Sequence, residues 1–423
     1  MKNFYKLWLG ELISSIGSGM TAFALSVYVY KKTGSVSYVS LITLLSFMPS
    51  IVLSPIGGLL ADRYDRRLLM IIGDLFSGLG LVYILWSIQA GEKSIVPIFV
   101  GITFSSIFTS LLEPSYRATL TDILEEENYA KASGLIQAAG SAKYLISPVI
   151  AGIVLSVADI RVILLLDILT FITTCLMIFL VRKSINSEMK NYKKDSFKGL
   201  LEGLFIIKGN RGVYSLVIIM FFVCFFMGFI QILIRPMILA TSSVKTAGMM
   251  ESLCAVGLLI GSLWIGIAGI KKNYSKILAV ACFFCGIFMS MTGVNENLAI
   301  IGISTFLFFS TLPFMNSCAD VLVRVSIPNE LQGRVWGLIS LITQMGTVAA
   351  YIISGVMADY VFEPMFNKNG ILVENIGIII GTGKGRGIGF MLILSGMGML
   401  IMAIVIWKNR EIREVSEKCV DLK

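Results

Sequence analysis

Twelve stretches of this chain are apolar over the length of a membrane-crossing helix, and no other feature constrains the fold as strongly. A helix needs about 20 predominantly apolar residues to cross the hydrocarbon core. Inside lipid its backbone polar groups must be satisfied within the helix itself. The stretches are 7–30, 38–60, 68–90, 95–117, 132–156, 161–182, 213–239, 247–269, 277–293, 298–322, 335–358 and 387–407. They predict an all-α membrane protein with twelve transmembrane helices. The 56% hydrophobic and 14% charged composition, with a mean hydropathy of +0.85, lies far from that of a soluble domain.

The net charge of +9 is a topology signal and does not indicate a nucleic-acid surface. With a cytoplasmic N-terminus, the even-numbered connections and the C-terminal tail carry most of the Lys and Arg. This positive-inside bias places both termini in the cytoplasm. The start, MKNFYKLWLG, runs into an apolar stretch of membrane length without a small-residue cleavage site, so it reads as the first membrane helix. Cys175, Cys224, Cys254, Cys282, Cys285 and Cys318 fall inside apolar stretches, where they read as small packing residues and not as a disulfide framework. The chain has no histidine, which removes His-dependent nucleophile pairs and HExxH zinc sites. No enzyme activity, cofactor or metal is expected.

The two sets of six stretches echo each other. Glu113 and Arg117 close the fourth stretch at i, i+4, and Asp320 and Arg324 close the tenth in the same way. Glu127, Lys131 and Gly134-Leu135-Ile136 are matched by Glu330, Arg334 and Gly337-Leu338-Ile339, Gly57 by Gly261, and Gly152 by Gly355. A duplicated six-helix unit follows, with residues 1–182 as one lobe, 213–407 as the other and 408–423 as a cytoplasmic tail. Six is even, so the lobes are parallel repeats, as in two-lobed transporters. In the Lys-rich connection 183–212, Phe197, Leu200, Leu201, Leu204 and Phe205 fall at amphipathic spacing. They suggest either a helix on the inner leaflet or a plain tether. In the connection 359–386, GTGKGRG lacks the Ser or Thr that a phosphate-binding loop requires after its Lys, so a flexible Gly-rich loop is expected.

The most specific motif is Gly57-Gly-Leu-Leu-Ala-Asp62-Arg63-Tyr-Asp65-Arg66-Arg67. It resembles motif A of the major facilitator superfamily, G-x-x-x-D-R-x-G-R-R/K, through Gly58, Asp62, Arg63, Arg66 and Arg67. Asp65 stands where the second glycine is usual, as in the macrolide-efflux branch. Gly134, Pro148 and Gly152 are similar to the remains of the antiporter motif of the fifth span, with Lys143, Ser147 and Ala151 where glycines are usual. Asn329-Glu-Leu-Gln-Gly-Arg334-Val335 resembles a segment of the same efflux branch.

The resemblance covers nearly the whole chain. It implies two lobes that rock around a central site, export of amphipathic small molecules of macrolide or multidrug type, and exchange for protons. Uptake, or flipping of lysophospholipids, would use the same fold. A proton or sodium gradient, the bilayer and a monomeric state are implied as well. Motif A would act as a conformational latch, with Asp62 capping a helix or pairing with an arginine of the other lobe. Two departures bear on coupling: the fourth span lacks the arginine usual in drug/proton antiporters, and the second lobe has Ile270-Lys-Lys-Asn273 in place of an acidic motif A.

Ionisable groups inside spans are costly and mark functional candidates. Lys143 either lines the central cavity or forms a static buried pair. Glu11, one turn into the first span, is a candidate proton carrier. Asp167 serves coupling or structural pairing. Asp74, Glu113, Arg117, Asp320, Arg324 and Arg334 are expected in charge pairs between the lobes at their cytoplasmic ends.

Overall fold

The computed structural model describes residues 2–92, 94–124, 129–183, 207, 209–270, 272–327, 332–367 and 370–421. Among these residues, twelve helical segments are long and apolar enough to cross a membrane. The chain divides into two compact units, residues Met1–Lys193 with Val244–Ser252, and Lys194–Ser243 with Leu253–Lys423.

The first unit contains α1 (Lys2–Thr33), α2 (Val36–Arg63), α3 (Arg66–Gln89), α4 (Val96–Thr109), α5 (Leu112–Ile123), α6 (Tyr129–Leu145), α7 (Ser147–Val157) and α8 (Ile160–Lys183). The fourth and fifth spans, expected as continuous helices, are each broken in two, and proline explains both breaks. Pro114 has no N–H to offer the carbonyl of Ser110, and Pro148 has none for Tyr144; each ring also crowds the carbonyl four residues back. The carbonyl freed at Ser110 meets α2 at Gly57, where a Cβ would stand 2.6 Å from that oxygen.

The second unit contains α9 (Arg211–Thr241), most of α10 (Val244–Ala268), α11 (Tyr274–Val294), α12 (Leu298–Ser326) and α13 (Gln332–Met357). A π turn at Ala358–Phe362 follows, then the short α14 (Glu363–Phe366) and α15 (Gly377–Ile380), and finally α16 (Arg386–Lys408) and α17 (Arg410–Asp421). The internal repeat is legible in the packing. In the first unit α1 packs on α6, α7 and α8, and α3 on α4 and α8; in the second α9 packs on α13 and α16, and α11 on α12 and α16. Gly261 meets the carbonyl of Ser310 and the ring of Pro313, which repeats the Gly57–Ser110–Pro114 contact.

α11 and α16 cross antiparallel through two glycine pairs. Gly286 faces Gly396 and Gly293 faces Gly389, each against the other's backbone carbonyl. Small residues at such crossings let backbones approach closely when hydrocarbon surrounds them. Gly293→Ala is therefore expected to cost about 1–3 kcal/mol by overpacking, because the obstacle is backbone. Gly140→Ala, at a helix position with open space around it, is expected to gain up to about 1 kcal/mol of helix propensity. Thermal denaturation of the two variants in detergent checks the contrast, and equal midpoints would refute it.

One expectation fails here. The GTGKGRG segment is not a flexible loop. Gly381, Gly383 and Gly385 take positive φ angles, and the turn delivers Arg386 into a buried position. The Glu363 carboxylate accepts from Gly385 N at 3.0 Å and Ile388 N at 3.2 Å. An internal carboxylate thus occupies the N-terminus of α16, where unpaired N–H groups and the helix dipole favour an anion. The tail after α16 is also structured. Ile412, Val415 and Ser416 of α17 are buried, Ser215 Oγ donates to Glu411 at 2.5 Å, and Ser416 Oγ accepts from Ser275 N at 3.2 Å. Asn273, at φ 58 and without a side-chain cap, leaves that donor to α17. The amphipathic segment expected within 183–212 falls almost entirely outside the described residues.

Candidate functional site

The charged residues inside the first unit converge on α1. Gly17 and Gly19 lie on roughly opposite sides of that helix, two residues or about 200° apart, and each makes room for one partner. A Cβ at Gly17 would stand 2.6 Å from both Asp167 Oδ1 and Thr170 Oγ1. One at Gly19 would stand 3.0 Å from Lys143 Cγ and 2.8 Å from Ser147 Cβ. Asp167 on α8 is 1% exposed and accepts from Thr170 Oγ1 at 3.2 Å and Ser18 Oγ at 3.5 Å. Ser147 Oγ donates to Ile16 O at 2.9 Å, fixing the α6–α7 break against α1 beside Lys143.

Glu11 lies two turns further back along α1 and accepts from Ser15 Oγ at 3.2 Å. The helix begins at Lys2, so two turns of α1 precede Glu11. Lys143 is the cation whose field reaches both Glu11 and Asp167. Asp74, expected in a charge pair at a helix end, is instead buried inside the unit at 2% exposure. There it feels both Glu11 and Asp167, and among the described residues its Oδ2 has no hydrogen-bond partner. The three carboxylates and Lys143 together carry an excess of two negative charges when all are ionised. Such an interior can take up a proton or a cation and give it back as the balance changes.

The motif between α2 and α3 works differently from the expectation in three respects. Gly58 has open space around it, and the packing glycine is Gly57. Asp62 lies in the last turn of α2, its side chain outside the described residues, and the N-cap position of α3 belongs to another acid. That cap is Asp65, whose Oδ1 accepts from Arg67 N at 3.0 Å and whose Oδ2 pairs with Arg182 Nε of α8 at 2.8 Å. The residue that departs from the usual glycine thus ties α3 to α8. An Asp directly before an Arg-Arg-Leu-Leu helix start is the available signal. Arg66 donates to Ala61 O at 3.1 Å and Ala118 O at 3.0 Å, joining the turn to α5. Arg63 is exposed and Arg67 buried.

The remaining charges are local. Glu113 pairs with Arg117 at 2.8 Å and Asp320 with Arg324 at 2.7 Å, each within its own helix. Arg334 opens α13, with its side chain outside the described residues, and Gly134 lies in α6. Pro148 and Gly152 pack α7 against the start of α10 within the first unit. A Cβ at Gly152 would stand 3.2 Å from Val244 O, and Gly248 meets the Pro148 carbonyl. Sequence reasoning missed Arg235, which lies within α9 beside Pro236 and is half-buried.

Twelve helices long and apolar enough to cross a membrane define, among the described residues, a polytopic membrane protein. The chain matches the family model of the Major Facilitator Superfamily over residues 7–360 and belongs to that superfamily. It is similar to Macrolide efflux protein A of Streptococcus pyogenes, 25% identical over 383 residues that cover 89% of this chain and 94% of the relative. The Enterococcus faecalis protein of the same name is 26% identical over 302 residues, 70% of this chain and 93% of the relative. Among solved structures, a bacterial homologue of the iron transporter ferroportin in its inward-facing state superimposes with a TM-score of 0.74 at 12% identity, covering 96% of this chain and 98% of that one.

Proposed function

We propose that this transporter exports amphipathic small molecules, of macrolide or multidrug type, by alternating access, in exchange for inward-moving protons. The observation that carries the reading is the Glu11–Lys143–Asp167 cluster with the unpartnered Asp74 beside it. Its two excess negative charges are neutralised by protons in one half of the cycle and by a cationic amphiphile in the other. Competition for the same carboxylates then links the two fluxes. Lys143 keeps the cluster poised by holding part of the negative charge when neither ligand is bound. The names of the two macrolide efflux relatives support the direction and the substrate class. Asp65, Arg66 and Arg182, with Asp62, Arg63 and Arg67, form the latch that holds the inner ends of the first unit's helices together. The protein resides in the cell membrane as a monomer with both termini in the cytoplasm.

The test uses inside-out vesicles with an acidic interior and a panel of a macrolide, a cationic dye and a lysophospholipid. Accumulation of the macrolide or dye that a protonophore abolishes supports proton-driven export. Accumulation that follows a sodium gradient would replace the coupling ion. Movement of the lysophospholipid alone, or substrate entry only in right-side-out vesicles, would replace export by lipid flipping or uptake.

A further inference from the structure

The second unit carries a polar contact of its own. α9 is buried and apolar at Ile230, Ile232, Leu233 and Ile234, yet Gln231 in the middle of that run is exposed. Its Oε1 accepts from the Tyr351 hydroxyl of α13 at 2.5 Å, and Tyr351 is buried. Among the described residues its side-chain nitrogen has no hydrogen-bond partner. The tyrosine therefore bonds the amide oxygen and leaves the two N–H groups of this exposed side chain available to a ligand.

The face that carries Gln231 is opposite an exposed apolar face of α9. Phe222, exposed like Tyr214 and Ile218, precedes Gln231 by nine residues, which is about 180° around a helix. A primary amide with unpaired donors is costly against hydrocarbon, so the Gln231 side meets water and solutes. Polar groups gather there. Arg235 follows one turn later and is half-buried. α13 presents buried Thr343, Thr347 and Tyr351 at i, i+4 and i+8, and the Thr347 backbone packs on Gly228, one turn before Gln231.

We infer that Gln231, oriented by Tyr351, is a substrate-binding contact of the second unit that donates to an uncharged acceptor oxygen, an ester, ether or ketone, on a polyoxygenated amphiphile. The assignment rests on the export function proposed above and narrows its substrate class. Gln231 selects for acceptor oxygens. A donor left unpaired penalises ligands that lack the acceptor.

Equilibrium binding to the full-length protein in nanodiscs tests this, with a radiolabelled macrolide and with tetraphenylphosphonium, a lipophilic cation without oxygen. Gln231→Leu should weaken macrolide binding about three- to tenfold and leave the oxygen-free cation unchanged, which also reports that the variant is folded. Tyr351→Phe, which frees the amide without removing it, should give a smaller loss for the macrolide alone. Equal losses for both ligands, or none for either, overturn the assignment of Gln231 alone. Wild-type protein that binds the cation but not the macrolide overturns the acceptor-oxygen class, and wild type that binds neither overturns the export reading with it. No gradient is used, so failure of proton coupling in vesicles would not alter the outcome.

Discussion

Replacement of Lys143 by methionine is expected to lower proton-driven substrate accumulation about ten- to a hundredfold while leaving folded protein in the membrane. Lys143 lies against Gly19 through its stem, and its charge reaches both Glu11 and Asp167. Methionine preserves the apolar stem and deletes only the ammonium. The effect lies between the small value of an exposed ion pair and the about 3–5 kcal/mol lost when a buried pair is broken, because Lys143 is half-buried. Lys143→Arg retains the charge and should keep a substantial part of the activity. Adding Glu11→Gln to Lys143→Met removes one of the carboxylates left uncompensated. The double variant should lose less stability than the two single variants sum to, by the coupling expected of groups in one network. Additive losses, or full transport by Lys143→Met, would show that the lysine is a bystander.

Arg386→Met is expected to cost the second unit about 2–3 kcal/mol, the upper part of the range for stranding a buried carbonyl, because the partner carboxylate of Glu296 is half exposed and adds little. Arg386 is 1% exposed. Its Nη1 donates to Ile380 O at 2.9 Å, and its Nε lies 3.3 Å from Glu296 Oε1. Glu363, which caps α16, also feels its charge. The guanidinium thus joins the α11–α12 turn, α15 and the start of α16. Methionine would strand the Ile380 carbonyl and leave Glu296 and Glu363 uncompensated. Glu363→Gln keeps the shape of the cap and should cost less, about 1–2 kcal/mol. Denaturation midpoints in detergent measure both, and a wild-type midpoint for Arg386→Met would mean that the clamp carries no load.

The parts of the molecule readable from sequence are those set by local chemistry. Span count follows from hydropathy, because a hydrocarbon-crossing helix must be apolar nearly throughout. The repeat is readable through pairs such as Gly57 with Gly261, and the structure places both against a serine carbonyl and a proline ring. Local signals also existed for features that went unread. Pro114 and Pro148 announce the two broken spans, and Asp65 announces the α3 cap. What resists reading is the choice of distant partner. Nothing near Gly293 names Gly389, nothing near Gly385 names Glu363, and the depth of Asp74 depends on how α3 is rotated against α1 and α8. The α17 helix was missed for the same reason: alone it is polar, and its apolar stripe has meaning only against α9, α11 and α12.

The central claim is that the acidic cluster of the first unit exchanges protons for substrate. Substrate-induced proton release from purified protein in weakly buffered detergent solution tests it most directly. Wild type should release protons in a saturable way when the macrolide or cationic dye is added, and Glu11→Gln combined with Asp167→Asn should release none while remaining folded. Undiminished release by the double variant, or substrate binding by wild type without release, would contradict the account.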